Sequence, residues 1–183
     1  MKITILFIIN VLVVINTLAK DDNEFEDSKT YTKIVKSTSE FELEITNKHG
    51  NISIETWEKD SVYIEAKVDI ESSNLDRLES MLDNINIDFS THTDYLAVST
   101  EWNDAGKGIK NDILKIFGEQ SIEVSYKVKV PSNISIDVNN KYGNIIMGSF
   151  EGKLKLNVSH GDINARNLAQ LKSIKLKYGK LKA

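Results

Sequence analysis

Lysines recur along the C-terminal part of the chain, and their charge is the feature with the clearest chemical use. Residues 141–183 hold nine basic and two acidic residues, a net charge of +7, whereas residues 20–140 carry −12. A cationic strip attracts anionic polymers by additive electrostatics. The alternative is a solvated face whose lysines keep exposed strands from unwanted pairing. We predict a surface for anionic polysaccharide, lipopolysaccharide or other cell-surface components at Lys153, Lys155, Lys172, Lys175 and Lys177.

Three histidines, His49, His92 and His160, are the side chains best suited to metal or acid–base chemistry. His49 and His160 occupy equivalent positions of a repeat, where they would stack near one another, but two ligands do not make a metal site. Ser159 and Asp162 flank His160 in sequence, whereas a catalytic triad takes its members from separate elements. We therefore predict no catalytic residue, no metal site and no cofactor.

Carboxylates and aromatic residues offer two further functions related to sugars. Glu40, Glu42 and Glu44 lie on the outward face of one predicted strand, but a glycosidase needs two carboxylates facing each other across a cleft. Aromatic residues form two aligned pairs, which suggests either a sugar-stacking strip or stacked corner and core rings. We favour solvated carboxylates and stacked rings; the aromatic pairs are Tyr142 with Tyr178 and Trp57 with Phe150.

These residues belong to a repeat that glycine punctuates. Gly143, Gly161 and Gly179 follow one another at intervals of 18 residues, each within an Asn/Ser/Lys–aromatic–Gly segment, and Gly50 marks an earlier copy. A fixed period near 20 residues is typical of solenoids. Apolar residues alternate with polar ones before each glycine, which indicates a strand with one buried face. We expect the four glycines to form the corners of the repeat and to supply a positive φ there.

The repeat predicts a mainly β fold, a β-solenoid or β-helix-like stack of short strands with coils of about 18 residues. Gly50 and Gly143 are much farther apart than one period, so we predict a small α+β insertion at about 70–128. Within it, leucines at helical spacing predict a helix over 74–85 that begins at Ser72 or Ser73. Alternating segments predict strands at 85–89, 95–102 and 122–130, and 109–117 would be a short helix or a flap.

The N-terminus predicts export. Residues 1–19 read as a cleaved signal peptide, 20–30 as a flexible acidic lead-in, and 31–183 as one domain that ends in the middle of a coil. No second apolar segment would cross a membrane after cleavage, and the absence of Cys excludes disulfides. A net charge of −4 and export both disfavour nucleic acid as a partner. The oligomeric state is left open.

Segments 41–57, 126–131 and 140–145 resemble a secreted bacterial family, the putative adhesins, over residues 30–183. The resemblance implies a β-solenoid in the envelope of Gram-negative bacteria, in the periplasm, on the outer surface or outside the cell, and it brings no catalytic residue. The function expected is non-enzymatic adhesion or binding of envelope polymers. The alternatives are an envelope structural or regulatory accessory protein, or a polysaccharide-acting enzyme.

Overall fold

The computed structural model of the chain describes residues 11–12, 24–102 and 120–183. Across these ranges the fold is mainly β, with one helix, α1 (Leu75–Asn84). The strands are β1 (Val11–Leu12), β2 (Phe25–Lys36), β3 (Glu42–Lys48), β4 (Ile52–Thr56), β5 (Ser61–Ser72), β6 (Ile85–His92), β7 (Tyr95–Trp102), β8 (Gln120–Val130), β9 (Ser135–Lys141), β10 (Ile145–Met147), β11 (Phe150–Ser159), β12 (Ile163–Asn164), β13 (Leu168–Lys177) and β14 (Leu181–Lys182).

The strands form two mixed sheets. The eight-stranded sheet has the order β1-β2-β5-β8-β4-β10-β12-β14, and the six-stranded sheet has the order β13-β11-β9-β3-β7-β6. From β8 to β14 and from β7 to β13 all neighbours are parallel, whereas β2, β5 and β6 pair antiparallel. Each repeat therefore places one strand in each sheet, with a glycine corner between them.

The predicted 18-residue alignment is confirmed by the strand pairing. Ile145 pairs with Ile163, which pairs with Leu181, and in the other sheet Leu156 pairs with Ile174. Buried aliphatic residues from both sheets form one cluster. Each fully buried aliphatic side chain in such a cluster contributes about 1.5–3 kcal/mol. The stacked aliphatic residues thus hold successive repeats together without a disulfide.

The segment predicted as an insertion contributes strands to both sheets. β7 pairs parallel with β3, and β8 pairs parallel with β4, so together they form the layer below the first glycine repeat. The predicted helix and strands are confirmed, with one change at the helix start. Asn74 caps α1 because its Oδ1 accepts the N–H of Arg77 at 2.9 Å, while Ser72 accepts the N–H of Asn74. The short helix or flap at 109–117 lies outside the described residues.

The N-terminal region differs from the predicted flexible lead-in over 25–30. These residues belong to β2, which pairs with β5 along its whole length. Only Tyr31 and Val35 of β2 are buried. The strand could not be predicted because its sequence lacks the alternating apolar residues of a half-buried strand. Val11 and Leu12 pair with this strand, but the rest of 1–23 is outside the described residues, and the signal peptide remains a prediction. No helix in the described ranges is long and apolar enough to cross a membrane.

Candidate binding surface

The four glycine corners lie side by side, but the glycines do not adopt the positive φ that we predicted. The preceding residue does so at every corner: φ is 64° at His49 and 58° at Tyr142, His160 and Tyr178. A non-glycine residue in this left-handed region costs roughly 1–2 kcal/mol. The strain at each corner is therefore carried by an aromatic residue.

Glycine is needed at the corners because successive corners approach closely. A Cβ on Gly143 would lie 1.9 Å from the carbonyl oxygen of Gly50, and one on Gly161 would lie 2.0 Å from that of Gly143. A Cβ on Gly179 would lie 1.9 Å from the carbonyl oxygen of Gly161, and one on Gly50 would lie 2.1 Å from that of Val124. These contacts leave no space for any side chain. The predicted corner positions are thus the places where backbones of neighbouring layers touch.

The aromatic residues of the corners form a continuous stack, which we call the aromatic column: Trp102, His49, Tyr142, His160 and Tyr178. The centroids of neighbouring rings from His49 to Tyr178 are 5.1, 4.9 and 4.8 Å apart. These distances are close to the strand spacing of roughly 4.8 Å. Trp102 meets His49 edge-on at 5.9 Å. The column therefore runs across five successive layers, with Trp102 on β7 and the other four rings at the glycine corners.

Two sequence expectations change because of this stack. His49 and His160 are not neighbours, since Tyr142 lies between them. No cluster of three metal-ligating side chains occurs within 24–102 and 120–183. Tyr142 has a ring neighbour on each side, His49 and His160, whereas Tyr178 is the last ring of the column and is 69% exposed. A sugar ring cannot stack flat on Tyr142.

A row of lysines runs beside the aromatic column, and we call Lys48, Lys141 and Lys177 the corner lysines. Lys48 is the register partner of Lys141 on the neighbouring strand. Ser159 on β11 occupies the equivalent position between Lys141 and Lys177. The Nζ of Lys141 lies 4.8 Å from the centroid of the Tyr142 ring, and that of Lys177 lies 5.0 Å from Tyr178. These cation–π contacts hold the ammonium groups against the column.

A ladder of amide and carboxylate side chains fixes the register on the other side of the corners. The Oδ1 of Asn51 accepts the N–H of Asn144 at 2.9 Å, and the Oδ1 of Asn144 accepts the N–H of Asp162 at 2.8 Å. The Oδ1 of Asp162 accepts the N–H of Lys180 at 2.8 Å. Because Asp162 is engaged in this way, it does not orient His160, whose Nδ1 lies 2.9 Å from the Oγ of Ser159.

A shallow cleft of about 430 Å³ opens where the aromatic column meets the start of β8. Its lining includes His49, Tyr142, Asn51 and Glu123, together with two of the corner glycines, Gly50 and Gly143. Glu123 accepts hydrogen bonds at Oε1 from the Oγ of Ser125 at 2.7 Å and from the Nδ2 of Asn51 at 3.4 Å. Ring edges, an amide and a carboxylate thus border one shallow, open cleft.

His49 is the titratable group at the centre of this site. Burial lowers the pKa of His49 to about 4, and the charges of Lys48 and Lys141 lower it further in the same direction. The imidazole is therefore neutral at pH 7, with one nitrogen that donates and one that accepts. The positive charge beside the cleft belongs to the lysines alone.

The predicted lysine surface is only partly brought together. Lys153 and Lys155 on β11, and Lys175 and Lys177 on β13, alternate with inward residues and lie on the outer face of the six-stranded sheet. Lys172 falls at a register shift between these two strands. Of the five, Lys177 also belongs to the corner lysines. The predicted surface is thus continuous with the row beside the aromatic column.

The remaining candidates lie elsewhere and have structural contacts. Phe150 is buried in the core, and Trp57 donates from Nε1 to the carbonyl oxygen of Ser61 at 2.7 Å, so neither joins the column. Glu44 accepts the hydroxyl of Tyr95 at 2.7 Å, which raises the pKa of Tyr95 to about 12.

Sequence reasoning did not find Lys48, Lys141, Asn51 or Glu123. The repeated Asn-Lys-aromatic-Gly-Asn segment at 47–51 and 140–144 carried the signal for three of them. Glu123 has no such signal, because it reaches the cleft from a strand outside the repeat.

Comparisons with known proteins give weak likenesses. The chain is similar to a putative cell adhesion protein from Clostridium sporogenes at 11% identity, over 85% of this chain and 98% of that one, with a TM-score of 0.38. It is similar to a putative adhesin from Parabacteroides merdae at 14% identity, over 80% of this chain and 57% of that one, with a TM-score of 0.33. It is also similar to a putative lipid binding protein from Parabacteroides distasonis at 13% identity, over 80% of this chain and 61% of that one, with a TM-score of 0.30. No family model and no curated protein matches the chain.

Proposed function

We propose that this protein is a non-enzymatic, exported component of the cell envelope that binds an anionic polysaccharide. Its repeats form a β-solenoid, and the polymer lies along the outer face of the six-stranded sheet. The observation that carries the proposal is the set of outward lysines on β11 and β13. Lys153, Lys172 and Lys175 make no ion pair with any residue of the described ranges.

The ion pair that this face does contain is weak. Lys155 approaches Asp137 at 3.4 Å, with 55% of its side chain exposed. Exposed pairs of this kind contribute about 0–1 kcal/mol, so Lys155 is easily recruited by a stronger anion. The face therefore presents cationic groups whose charge is not neutralised within the protein.

The geometry favours a polymer over a small anion. Lys153 and Lys155 are spread along β11 and Lys175 and Lys177 along β13, and none of these four is the register partner of another. Lys48 and Lys141 lie on neighbouring strands, roughly 4.8 Å apart, and Lys177 lies two strands beyond Lys141. An extended chain that carries carboxylates along its length contacts several lysines at once. Multivalent contact of this kind raises affinity without any single tight site.

Retention on immobilised polygalacturonate tests the proposal. The quadruple variant Lys153→Ala, Lys155→Ala, Lys172→Ala and Lys175→Ala should elute at lower NaCl concentration than the parent chain. If each exposed charge contributes a few tenths of a kcal/mol to 1 kcal/mol, affinity falls about tenfold or more. Added salt should reduce the difference, since surface charges are screened within about 10 Å at 0.1 M.

A second quadruple variant serves as the matched control, because it removes the same charge from the eight-stranded sheet. It changes Lys36, Lys67, Lys127 and Lys129 to Ala, which are exposed on β2, β5 and β8. We expect near-parental retention for it. Equal loss in both variants would show that net charge, rather than this face, governs retention and would contradict the proposal.

A further inference from the structure

The cleft at the first glycine corner combines groups that a plain cationic face does not need. The carboxylate of Glu123 and the amide of Asn51 lie in its wall, 3.4 Å apart between Oε1 and Nδ2. A carboxylate repels an anionic polymer, but with an amide beside it the pair suits vicinal hydroxyl groups: the carboxylate accepts a hydrogen bond from one hydroxyl, and the amide N–H donates to the other. The chemistry of this wall is that of a hydroxyl-binding site.

Ammonium groups lie close to the cleft, outside its lining. Tyr142 lines the cleft, and the Nζ of Lys141 lies 4.8 Å from the centre of its ring. Lys48 neighbours Lys141 in register at the same corner. The cleft therefore has a carboxylate and an amide in its wall and ammonium groups nearby.

The edges of the aromatic rings at the cleft also favour binding of a sugar through its oxygen atoms. The faces of His49 and Tyr142 cover each other, with their planes inclined by 10°. The ring edges are left toward the cleft, and aromatic edges carry partial positive charge. They suit the oxygen atoms of a sugar better than its apolar face.

We propose that this cleft binds one uronic acid unit of the polysaccharide, and this inference rests on the function proposed above. The sugar hydroxyls bind Glu123 and Asn51, and the sugar carboxylate points to Lys48 and Lys141. The negative wall sets this orientation, because the reverse one would place two carboxylates together. The site thereby selects a carboxylated sugar over a sugar-free polyanion.

Titration calorimetry of the full chain tests the cleft with trigalacturonate and with inorganic tripolyphosphate. Glu123→Gln should weaken trigalacturonate binding about fivefold, since one strong acceptor of a charge-assisted hydrogen bond is lost. The same change should leave tripolyphosphate binding unchanged or tighter, because a negative charge is removed. Opposite shifts for the two probes support the sugar site, and tighter binding of both overturns it.

Asn51→Asp is the second variant, and the chain itself offers a matched control. The Asp side chain keeps an Oδ1 acceptor for the N–H of Asn144, as Asp162 does for Lys180. It loses the Nδ2 donor and should weaken trigalacturonate binding about tenfold. Asn144→Asp adds the same charge one layer away, outside the cleft lining, and should change binding by less than about threefold. Equal losses in the two variants overturn the site.

The two proposals fail in different ways. Loss of retention in the lysine variant, with parental binding of trigalacturonate in both cleft variants, leaves the proposed function standing and overturns the cleft site. No retention of the parent chain on polygalacturonate overturns the proposed function. Trigalacturonate calorimetry then tests the cleft alone: binding that Asn51→Asp weakens supports it, and no binding overturns it.

Discussion

The substitution Gly161→Ala tests the close approach of the corners. An ideal Cβ at this position lies 2.0 Å from the carbonyl oxygen of Gly143, whereas ordinary van der Waals contact begins at 3.4 Å. The atom that it meets belongs to the backbone, so no side chain can turn aside. The two corners must therefore separate by well over an ångström.

That separation disrupts hydrogen bonds between the two layers. The N–H of Tyr142 donates to the carbonyl oxygen of Ser159 at 2.9 Å, and the N–H of Asp162 donates to Asn144 at 2.8 Å. Each contributes about 0.5–1.5 kcal/mol net, and overpacking costs a further 1–3 kcal/mol or so. We expect Gly161→Ala to lower the free energy of unfolding by about 2–6 kcal/mol. For a chain of this size the Tm falls by about 10 °C.

Gly148→Ala is the matched control, since a Cβ there meets no atom within 4 Å. It should leave the free energy of unfolding unchanged or raise it by about 0.4–1 kcal/mol, through the entropy of the unfolded chain. Urea unfolding followed by circular dichroism gives both values, with the m-value as a check that the compared states are the same. If the unfolding free energies of the two variants differ by less than about 1 kcal/mol, the role assigned to the corner glycines is refuted.

Two further predictions concern the column and the core. The folded pKa of His49, about 4, lies below the ordinary 6.5, so its contribution to stability is full above pH 6.5 and is lost as the pH falls to 4. His49→Tyr should remove roughly 1–2 kcal/mol of this loss of stability at low pH, a value reduced to account for the partial exposure of the ring. Urea unfolding of both proteins at several pH values measures this, and the same pH dependence of the midpoint in both would contradict it. Leu156→Ala, buried to 1% exposure, should cost about 2–5 kcal/mol in urea unfolding, whereas Leu171→Ala, 44% exposed, should cost clearly less. Equal costs would show that the stacked layer is not the core.

The repeat in the sequence predicts a large part of the fold because each layer pairs with residues 18 positions away. The alignment of Ile145, Ile163 and Leu181 followed from spacing alone, and the pairing reproduces it. The layer formed by β7 and β8 could not be predicted in this way. Its two strands are separated by 103–119, so no fixed period connects it with the first glycine corner.

The corners show why the site was only partly predictable. Their positions followed from Gly50 and its equivalents, but the reason for glycine depends on the backbone of a neighbouring layer, which a sequence does not display. The aromatic residue before each glycine gave no sign of its positive φ. Equivalent positions for His49 and His160 suggested a contact, yet Tyr142 of the intervening layer separates them.

The ladder of Asn51, Asn144 and Asp162 has a consequence for how this chain can change in length. Each rung contacts only the rungs directly above and below, so an added layer of 18 residues meets a neighbour of the kind it already has. An insertion of one residue within a strand instead turns its inward side chains outward. Variants that gain or lose whole 18-residue units should therefore fold, and the number of rings in the aromatic column would change in step with them.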